Sequence, residues 1–401
     1  DALTTGNNNV AVGYSSLGAE TKGDRSVAIG NFALQVQNNT TNADVYNVAV
    51  GYSAGSAITT GDENTLVGGL AGDAITIGNQ NVAIGTHSLG ANVAADRNVA
   101  VGHSALSNMT SATTTDRYNT AVGFFAGQAI TSGSDNTVLG GLAGDALTTG
   151  SQNVAIGRSA LSGEVEGGRN IAIGHQALKD LNTDNTAYNI AIGYNAGVDM
   201  TTAEKNVIIG GLAGDALTTG GFNIAIGYAA LSTEDGHGHN IAIGREALFA
   251  QNADAEAYNI AIGDLAGKSV TTGVQNTIIG GLAGDALTTG SSNVALGYSA
   301  LSSEDTGTRN TALGYNSLKN LNFDGHGYNT AIGYDSGRFI TSGAQNTIMG
   351  SIAGDALTTG SRNTAIGYLA LSTEDEHGKN VAVGWAALSA QNAGTDAHNT
   401  G

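Results

Sequence analysis

The sequence predicts an all-β protein, a parallel β-solenoid of about 23 coils with 17 residues per coil. Three observations predict this fold: a motif that recurs at fixed spacing, a period-2 alternation inside that motif, and an unusual composition. The chain has 61 glycines in 401 residues, and only 5% of its residues are aromatic. Such a composition favours a narrow core that is repeated many times.

The repeated motif is an asparagine, three residues that alternate in size, and a glycine, as in Asn47–Gly51 and Asn81–Gly85. Its first residue occurs 23 times, and each occurrence is Asn except Ser26. The spacing is 17 positions, as from Asn81 to Asn98, but every fourth step is 21 or 19 positions. Four coils therefore form a super-repeat of 70–72 positions. We interpret residues 1–401 as one continuous solenoid and as a segment of a longer chain.

One motif is expected to form one coil, because a unit of this length is too short for two strands joined by a helical crossover. The motif itself predicts a strand, and the following stretch, such as Tyr298–Leu301, predicts a second short strand or extended segment. The polar remainder, Ser302–Arg309, predicts the return loop. Coils stacked about 4.8 Å apart would give a rod on the order of 100 Å long.

Each motif position has a predicted role. Val82 and Ile84 are expected to face the coil interior, Ala83 to point outward against a close neighbour, and Gly85 to adopt positive φ at a corner. The asparagines are expected to form an inert ladder that satisfies turn backbone groups. The ladder residues considered are Asn47, Asn64, Asn81, Asn98, Asn119, Asn136, Asn153 and Asn170.

The composition also predicts partners. Ala105, Leu106, Ala160 and Leu161 are expected on the outer face, where a lone solenoid would leave them in water. Association with identical chains is therefore expected, and a three-fold bundle would bury this stripe symmetrically. The net charge of −19 argues against nucleic acid and anionic lipid as partners. The sequence contains no hydrophobic run long enough to insert into a membrane.

No catalytic residue, cofactor site or metal site is predicted, so we expect the protein not to be an enzyme. Gly263–Ser269 is one residue shorter between its glycines than a phosphate-binding loop. Gly68–Asp73 resembles a calcium-binding repeat, but its aspartate returns only once in four coils. No pocket with paired carboxylates is expected in a narrow, uniform coil.

Acidic pairs occur in the third-coil loops, as in Glu234–Asp235, Glu304–Asp305 and Glu374–Glu376, with His237, His239 and His377 nearby. We interpret these loops as a solvated edge that keeps the protein soluble, and a divalent ion is the alternative. A row of tyrosines precedes the Asn that opens each super-repeat. It is interpreted as packing on the longest loops, with surface or glycan contact as the alternative. The row consists of Tyr46, Tyr118, Tyr188, Tyr258 and Tyr328.

The units Asn329–Tyr334 and Asn363–Tyr368 resemble two groups of repeats, and the resemblance covers nearly the whole chain. One group is the head repeat of trimeric autotransporter adhesins. The other is the repeat region of phage tail fibres and bacterial surface proteins. The resemblance implies a left-handed parallel β-roll, three chains wound into one fibre, and a role in attachment.

The expected function is therefore the structural shaft of an extracellular attachment fibre, a phage tail fibre or a cell-surface adhesin filament. The shaft would be a homotrimer, and a tip outside this segment would contact a host or cell-surface glycan or protein. One alternative is a matrix or sheath filament without a receptor. The less favoured alternative is an ice-binding solenoid, suggested by Thr-Thr-Gly runs. These runs begin at Thr59, Thr148, Thr218, Thr288 and Thr358.

Overall fold

The computed structural model describes residues 2–392, 394–396 and 398–401. These residues form an all-β parallel solenoid of about 22 coils with about 17 residues per turn, and no helix occurs among them. The predicted fold class is therefore confirmed. The chain divides into two compact units, Asp1–Ala203 and Glu204–Gly401.

The first unit contains eleven three-residue strands, one per coil, and a short pair formed by β6 and β8. The strands are β1 Val10–Val12, β2 Val27–Ile29, β3 Val48–Val50, β4 Thr65–Val67, β5 Val82–Ile84, β6 Ala95–Asp96, β7 Val99–Val101, β8 Thr115–Asp116, β9 Thr120–Val122, β10 Thr137–Leu139, β11 Val154–Ile156, β12 Ile171–Ile173 and β13 Ile190–Ile192.

The second unit contains eleven further three-residue strands. They are β14 Val207–Ile209, β15 Ile224–Ile226, β16 Ile241–Ile243, β17 Ile260–Ile262, β18 Thr277–Ile279, β19 Val294–Leu296, β20 Thr311–Leu313, β21 Thr330–Ile332, β22 Thr347–Met349, β23 Thr364–Ile366 and β24 Val381–Val383.

Within each unit, every strand pairs in parallel with the strand of the next coil. Identical motif positions face each other, as shown by β5 and β7, where Ala83 is opposite Ala100. In the second unit, β15 and β16 pair in the same way, with Ala225 opposite Ala242. The insertions of two or four residues in every fourth coil lie in the return loops and leave this register unchanged.

The prediction of which strand residues face inward is wrong. Ala83 is fully buried, whereas Val82 is half-buried and Ile84 is 39% exposed. The supposed outer residues Ala105, Leu106, Ala160 and Leu161 are all fully buried and form the core. The physical reason is the limited space inside a narrow coil. Each three-residue strand directs only its central side chain inward, and the leucines of the opposite wall fill the rest of the core.

That opposite wall is not a second strand. Ser299 and Leu301 have φ of 50° and 55°, so alternate residues of Tyr298–Leu301 are left-handed, which a β-strand does not allow. The wall is still bonded from coil to coil, because the Ser299 amide donates to Gly281 O at 3.0 Å and the Leu301 amide to Ser317 O at 3.0 Å. The prediction of a second strand is therefore corrected to a turn ladder.

The four-coil super-repeat has a packing cause. In the second coil, Leu66 replaces alanine at the inward strand position, and Gly72 faces it across the coil. In the third coil, Ala83 takes the inward position and Leu89 fills the space. A large aliphatic residue occupies this inward position once per super-repeat in both units. The residues are Leu66, Val138, Ile208, Ile278 and Ile348.

Two structural requirements explain the glycine that follows each strand. Gly85 has φ of 129°, which confirms the positive φ predicted for the corner. A Cβ at Gly85 would lie 2.5 Å from the carbonyl oxygen of Gly102 in the next coil. The glycine therefore permits both the corner conformation and the close stacking of coils.

Candidate functional site

The eight predicted ladder asparagines of the first unit lie in one buried column. The Asn81 side chain illustrates their bonding: its Oδ1 accepts from the amide of Asn98 at 3.0 Å, and its Nδ2 donates to Ala95 O at 2.9 Å. Its Nδ2 also donates to Asn64 Oδ1 at 3.2 Å. The Asn81 side chain thus joins its own return loop to the adjacent coils, whereas Asn170 Nδ2 has no hydrogen-bond partner.

A second buried polar column was missed by the sequence analysis. It holds one carboxylate or amide per super-repeat, at the twelfth position of the third coil. Its members are Glu20, Asn92, Glu164, Glu234, Glu304 and Glu374, and all are fully buried. The interpretation of these loops as a solvated edge is therefore wrong for the glutamates. The signal that could have identified them is their position, which holds Ile, Leu, Met or Val in the first two coils of each super-repeat.

The glutamates turn inward because they accept hydrogen bonds from loop amides. Glu304 Oε1 accepts from the amide of Gly307 at 2.7 Å and from that of Asp305 at 3.2 Å. Burial raises the pKa of the Glu304 carboxyl, and these hydrogen bonds oppose the effect only in part. Burial likewise raises the pKa of Glu164.

Glu20 differs in the sign of its pKa shift. Burial acts to raise the pKa of its carboxyl, but hydrogen bonds from Gly23, Gln37, Asn39 and Lys22 outweigh burial and lower it. The Gly23 amide donates at 2.7 Å and Gln37 Nε2 at 2.9 Å. The same buried position therefore holds carboxylates of different acidity, set by the number of donors around them.

Two of the third-coil loops also carry a histidine. His237 Nδ1 lies 3.7 Å from Glu234 Oε1, and His377 Nδ1 lies 3.4 Å from Glu374 Oε1. In each loop the ligand atoms of Glu, Asp and His lie within 4.8 Å of one another, with Asp235 or Asp375 as the third member. The structure does not bring His239 into this cluster; it stacks between Phe222 and Tyr258.

The predicted tyrosine row is about half exposed, and an arginine of the preceding coil contacts four of its five members. The Arg169 guanidinium lies 5.4 Å from the Tyr188 ring centre, and its Nη1 donates to Tyr188 Oη at 2.6 Å. Tyr46, Tyr118 and Tyr328 have the same arrangement with Arg25, Arg97 and Arg309. Tyr258 instead stacks on His239 at 5.0 Å. These contacts hold the rings in place and leave one face of the row in solvent.

The outer sheet face of each unit is largely apolar, although the second motif position is threonine in some strands, such as Thr311. It consists of the side chains at the second and fourth motif positions, such as Val294 and Leu296, which are 37% and 42% exposed. In the first unit, Ile84 and Leu139 lie on the corresponding face. We name these residues the outer aliphatic columns. Because the register is constant, each column repeats its side chains once per coil.

The first threonine of each Thr-Thr-Gly run has a hydroxyl that donates to a backbone carbonyl of the next coil. Thr148 Oγ1 donates to Val165 O at 3.1 Å, and Thr288 Oγ1 donates to Asp305 O at 3.1 Å. Thr218 and Thr358 bond in the same way to Asp235 and Asp375. These hydroxyls therefore serve to join adjacent coils.

A surface depression of about 520 Å³ lies in the second unit, and Arg362, Lys379 and Asp396 are among its lining residues. Lys379 Nζ donates to Asp396 Oδ2 at 2.6 Å, and this hydrogen bond lowers the pKa of the Asp396 carboxyl. The depression therefore contains an ionised carboxylate held in a surface ion pair.

The fold and these surfaces define the chain as a repetitive parallel β-solenoid protein. No protein-family model, curated protein sequence or solved structure matches it. Among the described residues, no helix has the length and apolar character that would let it cross a bilayer.

Proposed function

We propose that the chain is the structural shaft of an extracellular attachment fibre, in which three identical chains associate. The single observation that supports this proposal best is the pair of outer aliphatic columns. Exposed, contiguous apolar surface of this kind is typical of protein interaction sites. The proposal gives the chain a mechanical role and no catalytic one.

An identical chain is the partner that fits these columns. A partner must match side chains that repeat once per coil, as Val294 and Leu296 do with Thr311 and Leu313 of the next strand. A second copy presents the same repeat at the same spacing, so contacts made by one coil are made by all. The return loops carry most of the acidic residues, and the net charge of −19 would keep separate fibres apart.

The extracellular setting rests on the resemblance of the repeat to adhesin heads and tail-fibre repeats. In this proposal, the coils set the reach of the fibre, which is a phage tail fibre or a cell-surface adhesin filament. Another segment of the fibre contacts a host or cell-surface glycan or protein.

Native mass measurement of the purified chain tests the assembly. We expect a mass three times that of the 39.9 kDa chain, and L296K should lower the assembled fraction because it places a charge in the outer aliphatic columns. T289K is the matched control, since Thr289 is exposed in a return loop. A wild-type monomer would contradict the proposal, as would equal loss of assembly in both variants.

A further inference from the structure

The two histidine-bearing loops differ from their sister loops at several positions, and one of these differences adds the histidine. The fifteenth residue of the third coil is Gly167 and Gly307 in two super-repeats, but His237 and His377 in two others. Neither glycine has positive φ, but a Cβ at Gly307 would lie 2.4 Å from Glu304 Cδ, so a histidine at this position requires the glutamate to lie differently in its loop. The change places an imidazole beside a buried glutamate.

The separations in these loops fit metal ligands better than a hydrogen bond. The Nδ1 to Oε1 distances are 3.7 Å at His237 and 3.4 Å at His377. A charge-assisted hydrogen bond between these groups would be about 2.7–2.9 Å long. Two ligand atoms on a tetrahedral ion, each bonded at about 2.0–2.1 Å, are separated by roughly 3.3 Å.

Several buried atoms of these loops also lack partners. Glu234 is fully buried, and although its Oε1 accepts from the His237 amide at 3.1 Å, its Oε2 has no hydrogen-bond partner. The Nδ1 atoms of His237 and His377 are buried and unpartnered as well. In the sister loop, Glu304 Oε2 accepts from the Phe323 amide at 3.3 Å, whereas the matching Ala253 amide interacts with the Glu234 carboxyl without a hydrogen bond to Oε2. A buried carboxylate oxygen without a donor is costly unless a cation compensates it.

We propose that the loops Glu234–His237 and Glu374–His377 each bind one divalent transition-metal ion through the glutamate and aspartate carboxylates and the histidine Nδ1. One imidazole with two carboxylates suits Zn²⁺ and its first-row neighbours, whereas Ca²⁺ and Mg²⁺ select oxygen ligands. This inference does not depend on the proposed fibre function, because each loop lies within one chain.

A protein group competes for the same carboxylate. In the first super-repeat, Gln37 Nε2 donates to Glu20 Oε2 at 2.9 Å. Gln251 occupies the matching position one coil after Glu234, and its Nε2 has no hydrogen-bond partner. Donation from Gln251 would satisfy Glu234 without an ion, so one Zn²⁺ bound by the wild-type chain and the same number bound by H237G would overturn the site at Glu234–His237.

Titration calorimetry of the full chain with Zn²⁺ tests the proposal. The wild-type chain should bind two ions, H237G one, and the double variant H237G/H377G none. Glycine is the chosen substitution because Gly167 and Gly307 occupy this position naturally. Circular dichroism of each variant checks that the solenoid is folded. Co²⁺ should give the absorption bands of tetrahedral coordination in the wild-type chain and lose them in the double variant.

H239S is the matched control, because His239 is exposed and lies outside the cluster, and it should keep both ions. The proposal is overturned if the wild-type chain binds no Zn²⁺, or if H237G/H377G binds as many ions as the wild type. Displacement of Zn²⁺ by an equal concentration of Ca²⁺ would overturn the assignment to transition metals.

Discussion

Leu66 and Gly72 lie opposite each other inside one coil, and a Cβ on Gly72 would lie 2.8 Å from Leu66 Cδ2. The next coil has the reverse arrangement, with Ala83 and Leu89. Gly72 and Leu89 have nearly the same φ, 57° and 53°, so the backbone conformation does not determine whether glycine or leucine occupies this position. The large Leu66 side chain does, because its Cδ1 would also lie 2.7 Å from a Cβ on Gly55 of the preceding coil.

This pair predicts a strongly non-additive double mutant. L66A should destabilise the solenoid by about 2–5 kcal/mol through a cavity, and G72L should destabilise it through overpacking. The double variant L66A/G72L reproduces the pairing of the next coil and should be more stable than the sum predicts, with a coupling of about 0.5–3 kcal/mol. Thermal and urea unfolding of the four proteins measure the cycle. Additive effects would contradict this account of the super-repeat.

The asparagine column predicts a large loss of stability from a small change. N81A leaves the amide of Asn98 without its acceptor, whereas the carbonyl of Ala95 keeps the hydrogen bond from Asn92 Nδ2 at 3.0 Å. Each buried group left unpaired costs about 1–3 kcal/mol. N108A is the control, because Asn108 is exposed, and it should change stability by less than about 0.5 kcal/mol. Urea unfolding that shows equal effects would argue against the column.

The buried glutamates predict pH dependences of opposite sign. The pKa of Glu304 is raised above its ordinary value of 4.5, so the stability it contributes is full below pH 4.5 and is lost as pH rises through the folded pKa. The difference in stability between wild type and E304Q should therefore shift in favour of the wild type as pH falls from 7 to 4.5. The slope is at most about 1.4 kcal/mol per pH unit for one proton.

E20Q is the matched comparison. The pKa of Glu20 is lowered from 4.5, so its contribution is present above pH 4.5 and is lost as pH falls through the lower folded pKa. Thermal midpoints of wild type, E20Q and E304Q, measured from pH 7 to below pH 4.5, check both signs. The same trend in both variants would mean that the donors around Glu20 do not set its acidity.

The tyrosine row predicts weak, local coupling. A double-mutant cycle with R169A and Y188A should give about 0.5–1 kcal/mol, because Arg169 is exposed and Tyr188 is 49% exposed. Y188F should lose the hydrogen bond from Arg169 and keep the ring contact. Unfolding in urea provides the measurement. A coupling near zero would leave the row without a structural role and would direct attention to its exposed ring faces.

The solenoid architecture could be predicted from the sequence because it follows directly from the constant spacing of one motif. The recurrence of the motif Asn81–Gly85 at a constant interval defines the coil, and the structure repeats at that same interval. The direction of the side chains was not predictable in this way. Val82 and Ile84 are more hydrophobic than Ala83, yet Ala83 is the residue that faces inward in this coil, where Leu89 already fills the core.

The polar core was missed for a related reason. In the sequence, Glu234 stands beside Asp235, and polarity alone assigns both to the same solvated run. The structure separates them, because Glu234 is buried at the position of an inward aliphatic residue and Asp235 is exposed. The position of Glu234 within its coil indicates burial, because the same position holds an aliphatic residue in other coils. Aligning the coils with one another would have revealed this.

The alternation of Leu66 with Gly72 and of Ala83 with Leu89 has a consequence for how such a chain can change in length. Removing a single coil would preserve the strand register but place unmatched core volumes in contact. Removing one whole super-repeat restores every pairing. A protein of this kind can therefore grow or shrink in whole blocks of four coils while its interior stays filled.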